Sequence, residues 1–299
     1  MMQIINKRKY FYLVSGVLTT ASLAILIMWG LKFGIDFTGG TEMRIKFSQN
    51  VPANSVIIEK LNELNLDSLS VKTAADGTVN VDYKNSSEKT NQAVFGKIQE
   101  LDKNAVQLST DFIGSTVSGQ LKTSAWQSLL LAILGIALYV AWAFRKVSRP
   151  VSSWKYGLGA IIALGHDILI TVGIFVILGH FWGVEVGVPF IAALLTILGY
   201  SVNDTIVVFD RTRENLLRAS AKEDFEDIVN RSLNETLARS INTSLTVIIV
   251  LFTLTIFGGE SIRWFSVALL FGVTFGTYSS IYVASALLVT IYKFQVKKV

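Results

Sequence analysis

The sequence has no cysteine, only two histidines and three prolines, and an unusually small share of charged residues. Without cysteine, the chain has no disulfide, no thiolate metal site and no cysteine nucleophile, and two histidines are too few for a histidine-rich zinc or iron centre. Charged residues make up 16% of its 299 residues and hydrophobic residues 51%, with a mean hydropathy of +0.50. Soluble domains carry roughly a quarter charged residues, so the composition excludes a disordered chain and disfavours a soluble globule.

Long stretches without charged residues dominate the chain. A helix needs about 20 apolar residues to cross the hydrocarbon core of a membrane. Six stretches reach that length, with at most one charge each: residues 10–31, 123–144, 156–184, 186–209, 240–259 and 264–292. We therefore predict an α-helical membrane protein with six transmembrane helices. The first stretch is too long for the apolar region of a signal peptide and no small-x-small cleavage site follows it, so we predict an uncleaved span.

The positions of the basic residues predict the orientation. Three lie in residues 1–9, four between the second and third spans, and three in the tail, residues 293–299, whereas the turn 179–187 has none. Basic residues favour the cytoplasmic side of a membrane, so both termini are predicted to be cytoplasmic. The net charge of +5 is then a consequence of topology. Since no single face collects it, we expect no nucleic-acid partner.

Residues 32–122 are the one segment with a soluble-like composition, and the topology places them outside the cytoplasm. Alternating apolar residues predict strands at 41–47, 69–72, 79–83 and 106–109. Apolar residues at helical spacing predict helices within 52–65 and 88–101, and Asp76-Gly77 is typical of a hairpin turn. The order β-α-β-β-α-β predicts a small ferredoxin-like α+β domain between the first two spans. We expect it to bind or couple rather than to catalyse.

Two aspartates fall inside predicted spans, where an ionisable group costs a few kcal/mol and is usually functional or paired. At 1.5 Å per residue, Asp167 lies ~18 Å into its span and Asp204 ~9 Å from the cytoplasmic end. Around Asp204 the polar neighbours are Tyr200, Ser201 and Asn203. Arg239 opens the fifth span and has a side chain long enough to extend toward Asp204. Such a pair would bind and release a proton as the helices move, and a static salt bridge is the alternative.

His166 and Asp167 are adjacent and point about 100° apart on a helix, so they do not chelate a metal together. A hydrogen-bonded polar pair between helices is the simpler interpretation, and we expect no metal site.

Small residues recur every fourth position in the sixth span, at Gly272, Gly276, Ser280 and Ala284. This spacing favours close helix packing. Residues 210–239 are predicted to form a highly charged cytoplasmic amphipathic loop. Apolar residues at helical spacing between Phe225 and Leu237 predict an amphipathic helix within it, at the membrane surface or against the bundle ends.

Several motifs coincide along nearly the whole chain. They are the runs 34–41 (GIDFTGGT), 165–167 (GHD), 199–211 (GYSVNDTIVVFDR), 238–240 (ARS) and 257–259 (FGG). Together they resemble the SecF branch of the SecD/SecF family of protein-export membrane proteins, within the resistance-nodulation-division superfamily.

The resemblance implies half of a pseudo-symmetric bundle, completed by SecD in a heterodimer. It implies an accessory subunit that associates with the SecYEG channel and uses the proton-motive force to promote export of unfolded preproteins across the bacterial cytoplasmic membrane. Asp204 and Arg239 would support proton transport together with a SecD aspartate. The turn of Asp36, Gly39 and Gly40 would join the first span to the external domain. No enzymatic activity and no cofactor besides the proton gradient are expected, although a carboxylate in a polar stripe also suits sodium.

Two other functions fit parts of the sequence. One is a stand-alone exporter of small molecules or lipids, built on the same superfamily bundle and acting as a homo-oligomer. The other is an intramembrane hydrolase that uses Asp167 and Asp204. The second is disfavoured because the sequence has no His-Glu-x-x-His motif, Ser-His dyad or Gly-x-Gly-Asp motif.

Overall fold

A computed structural model describes residues 2–48, 50–73, 77–84, 87–145, 151–220 and 223–296. The chain folds into two units. The helical unit comprises residues 1–31, 127–184 and 189–299, and the sheet unit comprises residues 32–126 together with residues 185–188.

The elements follow one another in a simple order. After a short 3-10 turn, the first part of the chain contains α1 (Arg8–Trp29), α2 (Ile35–Thr38), β1 (Gly40–Lys46), α3 (Asn54–Asn62), β2 (Ser70–Thr73), β3 (Thr78–Tyr83), α4 (Glu88–Leu101) and β4 (Val106–Ile113). The second part contains α5 (Ser115–Ala143), α6 (Ser153–Trp182), α7 (Val188–Arg218), α8 (Phe225–Phe257), α9 (Glu260–Ser279), a π-helical turn (Ser280–Ala284) and α10 (Ser285–Val296).

Among the described residues, six helices are long and apolar enough to cross a membrane, which confirms the predicted number of spans. They are Ile5–Trp29, Ser115–Ala143, Ser153–Trp182, Val188–Arg218, Phe225–Phe257 and Ile262–Gln295. The amphipathic helix predicted within segment 210–239 is present, but it is continuous with the fifth span instead of being a separate element. The described residues of this segment extend α7 to Arg218 and begin α8 at Phe225. The reason is that residues 225–257 contain no glycine or proline, so the helical period of the amphipathic stretch continues into the fifth span without a break.

Both ends of the chain lie at the same end of the helical unit. Glu226, in the first turn of α8, forms ion pairs with Arg8 and with Lys293. Asn230 accepts hydrogen bonds from the backbone N–H groups of Ile4 and Ile5. These contacts bring residues 4–8 and Lys293 to the same end of the helical unit, and the cytoplasmic location of both termini stays a prediction. Lys297 and Lys298 of the tail, and Lys146 and Arg149 of the second basic cluster, lie outside the described residues.

The sheet unit has the predicted β-α-β-β-α-β order. Its four strands are antiparallel throughout, in the order β2-β3-β1-β4, which is the ferredoxin-like arrangement. One face carries the core, formed by strand residues and the buried sides of α3 and α4, among them Met43, Ile45, Val79, Val81, Ile57, Leu61, Val94 and Ile98. Of the predicted hairpin turn, Gly77 is described, with a positive φ of 80° that suits glycine, and Asp76 lies outside the described residues.

The segment between α6 and α7 belongs to the sheet unit. Val186 donates its N–H to the carbonyl of Lys32 over 2.8 Å and accepts from the N–H of Gly34 over 3.0 Å. Glu185 forms an ion pair with Lys72 on β2. The turn between the third and fourth spans therefore contributes residues to the sheet unit.

Candidate functional site

Asp204 lies in the interior of the helical unit and is held by hydroxyl groups from two neighbouring elements. Its side chain is 9% exposed. Ser240 on α8 donates its hydroxyl to Asp204 Oδ1 over 2.5 Å, and Ser280, the first residue of the π-helical turn, donates to Oδ2. A buried carboxylate is costly unless such charge-assisted hydrogen bonds replace its water. The carboxylate thus faces other helices rather than lipid, as predicted.

Asp167 on α6 forms a second buried carboxylate site. It is fully buried, and its Oδ2 accepts hydrogen bonds from Ser201 on α7 over 2.6 Å and from Ser279 on α9 over 2.8 Å. His166 Nδ1 lies 2.9 Å from Asp167 Oδ1. The predicted hydrogen-bonded pair between helices is therefore present at Asp167, and it connects α6, α7 and α9.

The serines of these two sites were not identified from the sequence as carboxylate ligands. Ser279 does not appear among the predicted site residues, Ser240 appears only within the 238–240 motif, Ser201 only as a polar neighbour of Asp204, and Ser280 only as a helix-packing residue. Serine is common in membrane helices and often donates to the carbonyl one turn earlier, so its residue type alone does not indicate a partner. One sequence feature points toward such contacts, namely the small residues at every fourth position of the sixth span. Small side chains let two helices approach closely enough for a serine hydroxyl to reach a carboxylate.

Arg239 does not contact Asp204. Its side chain is exposed on α8, and the following residue, Ser240, faces the carboxylate instead. Because consecutive helical residues point about 100° apart, residue 239 points away from Asp204 when residue 240 points toward it. The close approach of the Arg239 guanidinium to Asp204 that we expected is absent from the described part of the chain. A role for Arg239 in proton transport stays a prediction.

The other predicted polar residues near Asp204 differ in their placement. Tyr200 donates its hydroxyl to Ser244 on α8 over 3.2 Å, and Ser244 also accepts from Thr277 on α9 over 2.6 Å. Asn203 is exposed on α7. The polar stripe predicted on α7 thus enters the bundle through Tyr200, Ser201 and Asp204, but not through Asn203.

The small residues of the last span mediate close packing, as predicted. A Cβ atom placed on Gly276 would lie 3.0 Å from the Ser201 Cβ atom, and one on Gly272 would lie 2.2 Å from Ile197 Cδ1. A Cβ atom placed on Gly159 of α6 would lie 3.8 Å from the carbonyl oxygen of Ala284, farther along the same span. Close approach at these glycines brings Ser279 and Ser280 within reach of the two aspartates.

The motif turn lies at the start of the sheet unit. Asp36 Oδ2 accepts a hydrogen bond of 2.7 Å from the backbone N–H of Val188. Gly39 and Gly40 have φ angles of 71° and 134°, values that side chains rarely adopt. A Cβ on Gly40 would also lie 2.8 Å from the carbonyl oxygen of Tyr83. The two glycines are therefore needed where β1 joins the sheet.

A charged cluster covers the polar face of the sheet. Glu42 on β1 lies directly opposite Asp82 on β3, and Lys72 pairs with Asp82 over 2.8 Å and also with Glu185. Burial raises the pKa of Glu42 to about 7, and the charge of Asp82 adds to the rise. Burial also raises the pKa of Glu185 despite the nearby Lys72. Burial opposes ionisation of Lys72, but Asp82 and Glu185 outweigh it and raise the pKa of Lys72.

No group of three or more histidine, aspartate or glutamate side chains with the geometry of a metal site occurs among the described residues. Each of the two buried aspartates has both carboxylate oxygens within hydrogen-bond distance of a neighbouring side chain.

Two family models match the chain. "Protein export membrane protein SecD/SecF, C-terminal" matches residues 93–294, and "SecD/SecF GG Motif" matches residues 29–51, which include Gly39 and Gly40.

Curated relatives match over nearly the full length. "Protein translocase subunit SecF" of Thermobaculum terrenum is 44% identical over 301 residues, with 97% of this chain and 94% of that protein covered. The protein of the same name from Haemophilus influenzae is 38% identical over 283 residues, with 94% and 83% covered.

Solved structures show the same fold. The crystal structure of SecDF, a translocon-associated membrane protein from Thermus thermophilus, is 31% identical with a TM-score of 0.86 and covers 98% of this chain. A second SecDF structure, in a super-membrane-facing form, is also 31% identical, with a TM-score of 0.70. This chain covers 39% of each of those longer chains.

The fold and the buried carboxylates define a multi-pass membrane protein with an inserted α+β domain. The chain belongs to the SecD/SecF family of protein-export membrane proteins.

Proposed function

We propose that the chain is an accessory subunit of a Sec-type protein translocase, in which reversible protonation of Asp204 couples the proton-motive force to preprotein export. The single observation that carries the proposal is the placement of Asp204. It is a buried carboxylate inside an apolar helix, bound by hydroxyl groups from α8 and from the π-helical turn. Family membership and relatives that are named as translocase subunits supply the process to which this site belongs.

The geometry suits a carboxylate that changes its protonation. An ionised Asp204 accepts hydrogen bonds from Ser240 and Ser280, whereas a protonated one donates one of its own. Loss of the proton therefore strengthens the hydrogen bonds from α8 and from the π-helical turn to Asp204, and gain of the proton weakens them. One charge that crosses 100 mV is worth about 2.3 kcal/mol. This energy is enough to bias a movement between two arrangements of helices, though not to drive it completely.

A SecD-type partner is the second part of the proposal. The SecDF chains that share this fold are much longer, and this chain covers 39% of them. On α8 the exposed Arg239 shares a helical face with the exposed residues Asn242, Thr246 and Val250. A cation on an apolar membrane helix is costly unless it is paired. We therefore place this face of α8 against the partner, with Arg239 close to a carboxylate that the partner supplies.

The location follows from the same reasoning. Six apolar helices make the chain a multi-pass membrane protein, and we place it in the bacterial cytoplasmic membrane. The basic residues near both ends of the chain favour the cytoplasmic side for the termini. The sheet unit would then lie outside, where an unfolded preprotein emerges from the SecYEG channel. The relatives are translocase subunits and do not favour the alternative of a stand-alone exporter of small molecules or lipids.

The coupling ion in this proposal is the proton, since the serine hydroxyls around Asp204 can donate to an ionised carboxylate and can accept from a protonated one. A sodium-coupled variant of the same mechanism would show export that follows the sodium gradient instead.

An export assay tests the proposal. The chain replaces the corresponding subunit in a bacterial strain depleted of it, and precursor processing is followed by pulse-chase labelling. Asp204→Asn is expected to leave the protein in the membrane at normal amounts but to slow processing several-fold. Asp210→Asn is the matched control, because Asp210 lies on the same helix, is exposed and pairs with Arg213 at the surface. Equal processing rates in the two variants would refute the proposal.

A further inference from the structure

The second buried carboxylate site contains a nitrogen without a partner. His166 is 6% exposed, and its Nε2 atom has no hydrogen-bond partner among the described residues. It lines a cavity of about 250 Å³ between α1, α6 and the last helix. Tyr12, Ser15 and Thr19 add hydroxyl groups to the wall of this cavity. A water molecule occupies about 30 Å³ of liquid, so the volume would hold several, but most of the wall is apolar and its hydroxyl groups already form hydrogen bonds within the protein.

The other ring nitrogen connects the cavity to a carboxylate. His166 Nδ1 lies 2.9 Å from Asp167 Oδ1. With Nδ1 donating to Asp167, Nε2 carries a free lone pair. The atom itself is shielded from solvent, so a proton reaches it only when the surrounding helices move apart. A proton that binds Nε2 gives an imidazolium. Transfer of the Nδ1 proton to Oδ1 then leaves a neutral histidine of the other tautomer and a neutral Asp167. One proton enters, one carboxylate is neutralised, and no other reactant is needed.

The sixth span, called the last helix here, runs through α9, the π-helical turn and α10. It joins this site to Asp204. Ser279 donates to Asp167, and the next residue, Ser280, donates to Asp204. On α7, Ser201 donates to Asp167 and lies one turn before Asp204. The π-helical turn begins at Ser280, and such turns often mark functional positions in helices. Ser279 and Ser280 are adjacent in the chain. A movement of Ser279 that accompanies a change at Asp167 therefore also moves Ser280, which binds Asp204.

Few other titratable groups face the site. Tyr278 on α9 stacks on the His166 ring with centroids 6.1 Å apart. Tyr12 on α1 lines the cavity, and Tyr200 and Asp204 are the ionisable groups of α7 nearest to Ser201 in the chain. The tyrosine hydroxyls are hydrogen-bonded, Tyr12 with Thr290 and Tyr278 with the Phe11 carbonyl.

We propose that His166 and Asp167 form a second proton-binding site in the membrane, which takes up its proton at the unpartnered Nε2, and that Ser279 and Ser280 couple it to Asp204. The proposal rests on the proposed function in one respect, namely that Asp204 itself binds a proton. It adds a site that the function assigned to Asp204 does not require.

Infrared spectroscopy of the full chain in lipid bilayers tests the coupling. Carbonyl stretching bands of protonated carboxyls are recorded as the pH is varied, and Asp167→Asn and Asp204→Asn assign them. We expect one titrating band for each aspartate. Asp167→Asn is expected to remove its own band and to move the midpoint of the Asp204 band by about one pH unit or more, as for interacting sites. His166→Phe is expected to move the midpoint of the Asp167 band.

The serines provide the specific test. In a Ser279→Ala or Ser280→Ala background, the effect of Asp167→Asn on the Asp204 band is expected to be much smaller. Ser266→Ala is the matched control, because Ser266 is buried on α9 and donates only to the carbonyl of Ile262 in its own helix. Melting temperatures measured on the same samples show whether each variant is folded.

The outcomes are distinguishable. If Asp204 titrates and Asp167→Asn leaves its midpoint unchanged, the second site is refuted and the proposed function stands. If Asp204→Asn changes no band, Asp204 does not bind a proton and both proposals fail.

Discussion

Ser279 and Ser280 are neighbours in the last helix, yet they donate their hydroxyls to two different buried aspartates, Asp167 and Asp204. In a regular helix, consecutive side chains diverge by about 100°. Here that divergence places one hydroxyl against α6 and the other against α7. The last helix therefore donates hydrogen bonds to both carboxylates, and the π-helical turn begins at Ser280.

The first prediction concerns Arg239. The sequence has no cysteine, so Arg239→Cys gives a single attachment site for a benzophenone photocrosslinker. When the chain is expressed with a SecD-type partner, illumination is expected to give a covalent adduct with that partner, because the exposed guanidinium lies on the face of α8 that we assign to the interface.

Arg218→Cys, exposed at the end of α7, is the control for this labelling and is expected to give little of that adduct. Equal partner adducts from both positions, or adducts with lipid alone from position 239, would contradict the assigned interface.

The second prediction concerns helix packing. Gly276→Leu forces a side chain into the space filled by Ser201, where even a Cβ atom would lie 3.0 Å from the serine Cβ. Overpacking of this kind costs about 1–3 kcal/mol. We expect a lower melting temperature in detergent. Gly199→Leu is the control, because nothing lies within 4 Å of a Cβ at that position, and a melting temperature lowered equally by both variants would argue against the close contact.

The third prediction concerns the pH dependence of the sheet unit. Burial raises the pKa of Glu42 to about 7 from an ordinary value of 4.5. A carboxyl with a raised pKa favours the folded state fully below pH 4.5, and this contribution is lost as the pH rises through about 7. At 1.36 kcal/mol per unit of pKa, the loss amounts to about 3 kcal/mol.

Hydrogen exchange of the full chain measures this effect. After correction for the intrinsic pH dependence of exchange, amides of β1 and β3 are expected to be better protected at about pH 5 than at about pH 8. Glu42→Gln is expected to flatten the difference, whereas the exposed Glu59→Gln retains it. A pH difference that persists in Glu42→Gln would show that Glu42 is not its source.

The sequence predicted the fold well because the signals are local. Uncharged stretches of membrane length mark the six spans, and alternating or helical spacing of apolar residues marks each element of the sheet unit. Asp167 and Asp204 were identified because charge inside an apolar helix is costly. The sequence did not predict how each helix is rotated about its own axis, and this rotation decides which side chains face the carboxylates. A shift of one residue separates Ser240, which faces Asp204, from Arg239, which does not. The partners of a serine depend on that rotation, so they were not predictable.

The most direct test of the central claim is proton flux through the assembled complex. The chain and a SecD-type partner are reconstituted into liposomes, a membrane potential is imposed, and the internal pH is followed with a fluorescent dye. The account predicts flux with the unaltered chain and with Asp210→Asn, and a large reduction toward the protein-free rate with Asp204→Asn. Flux that is unchanged by Asp204→Asn would contradict the claim that this carboxylate carries the proton.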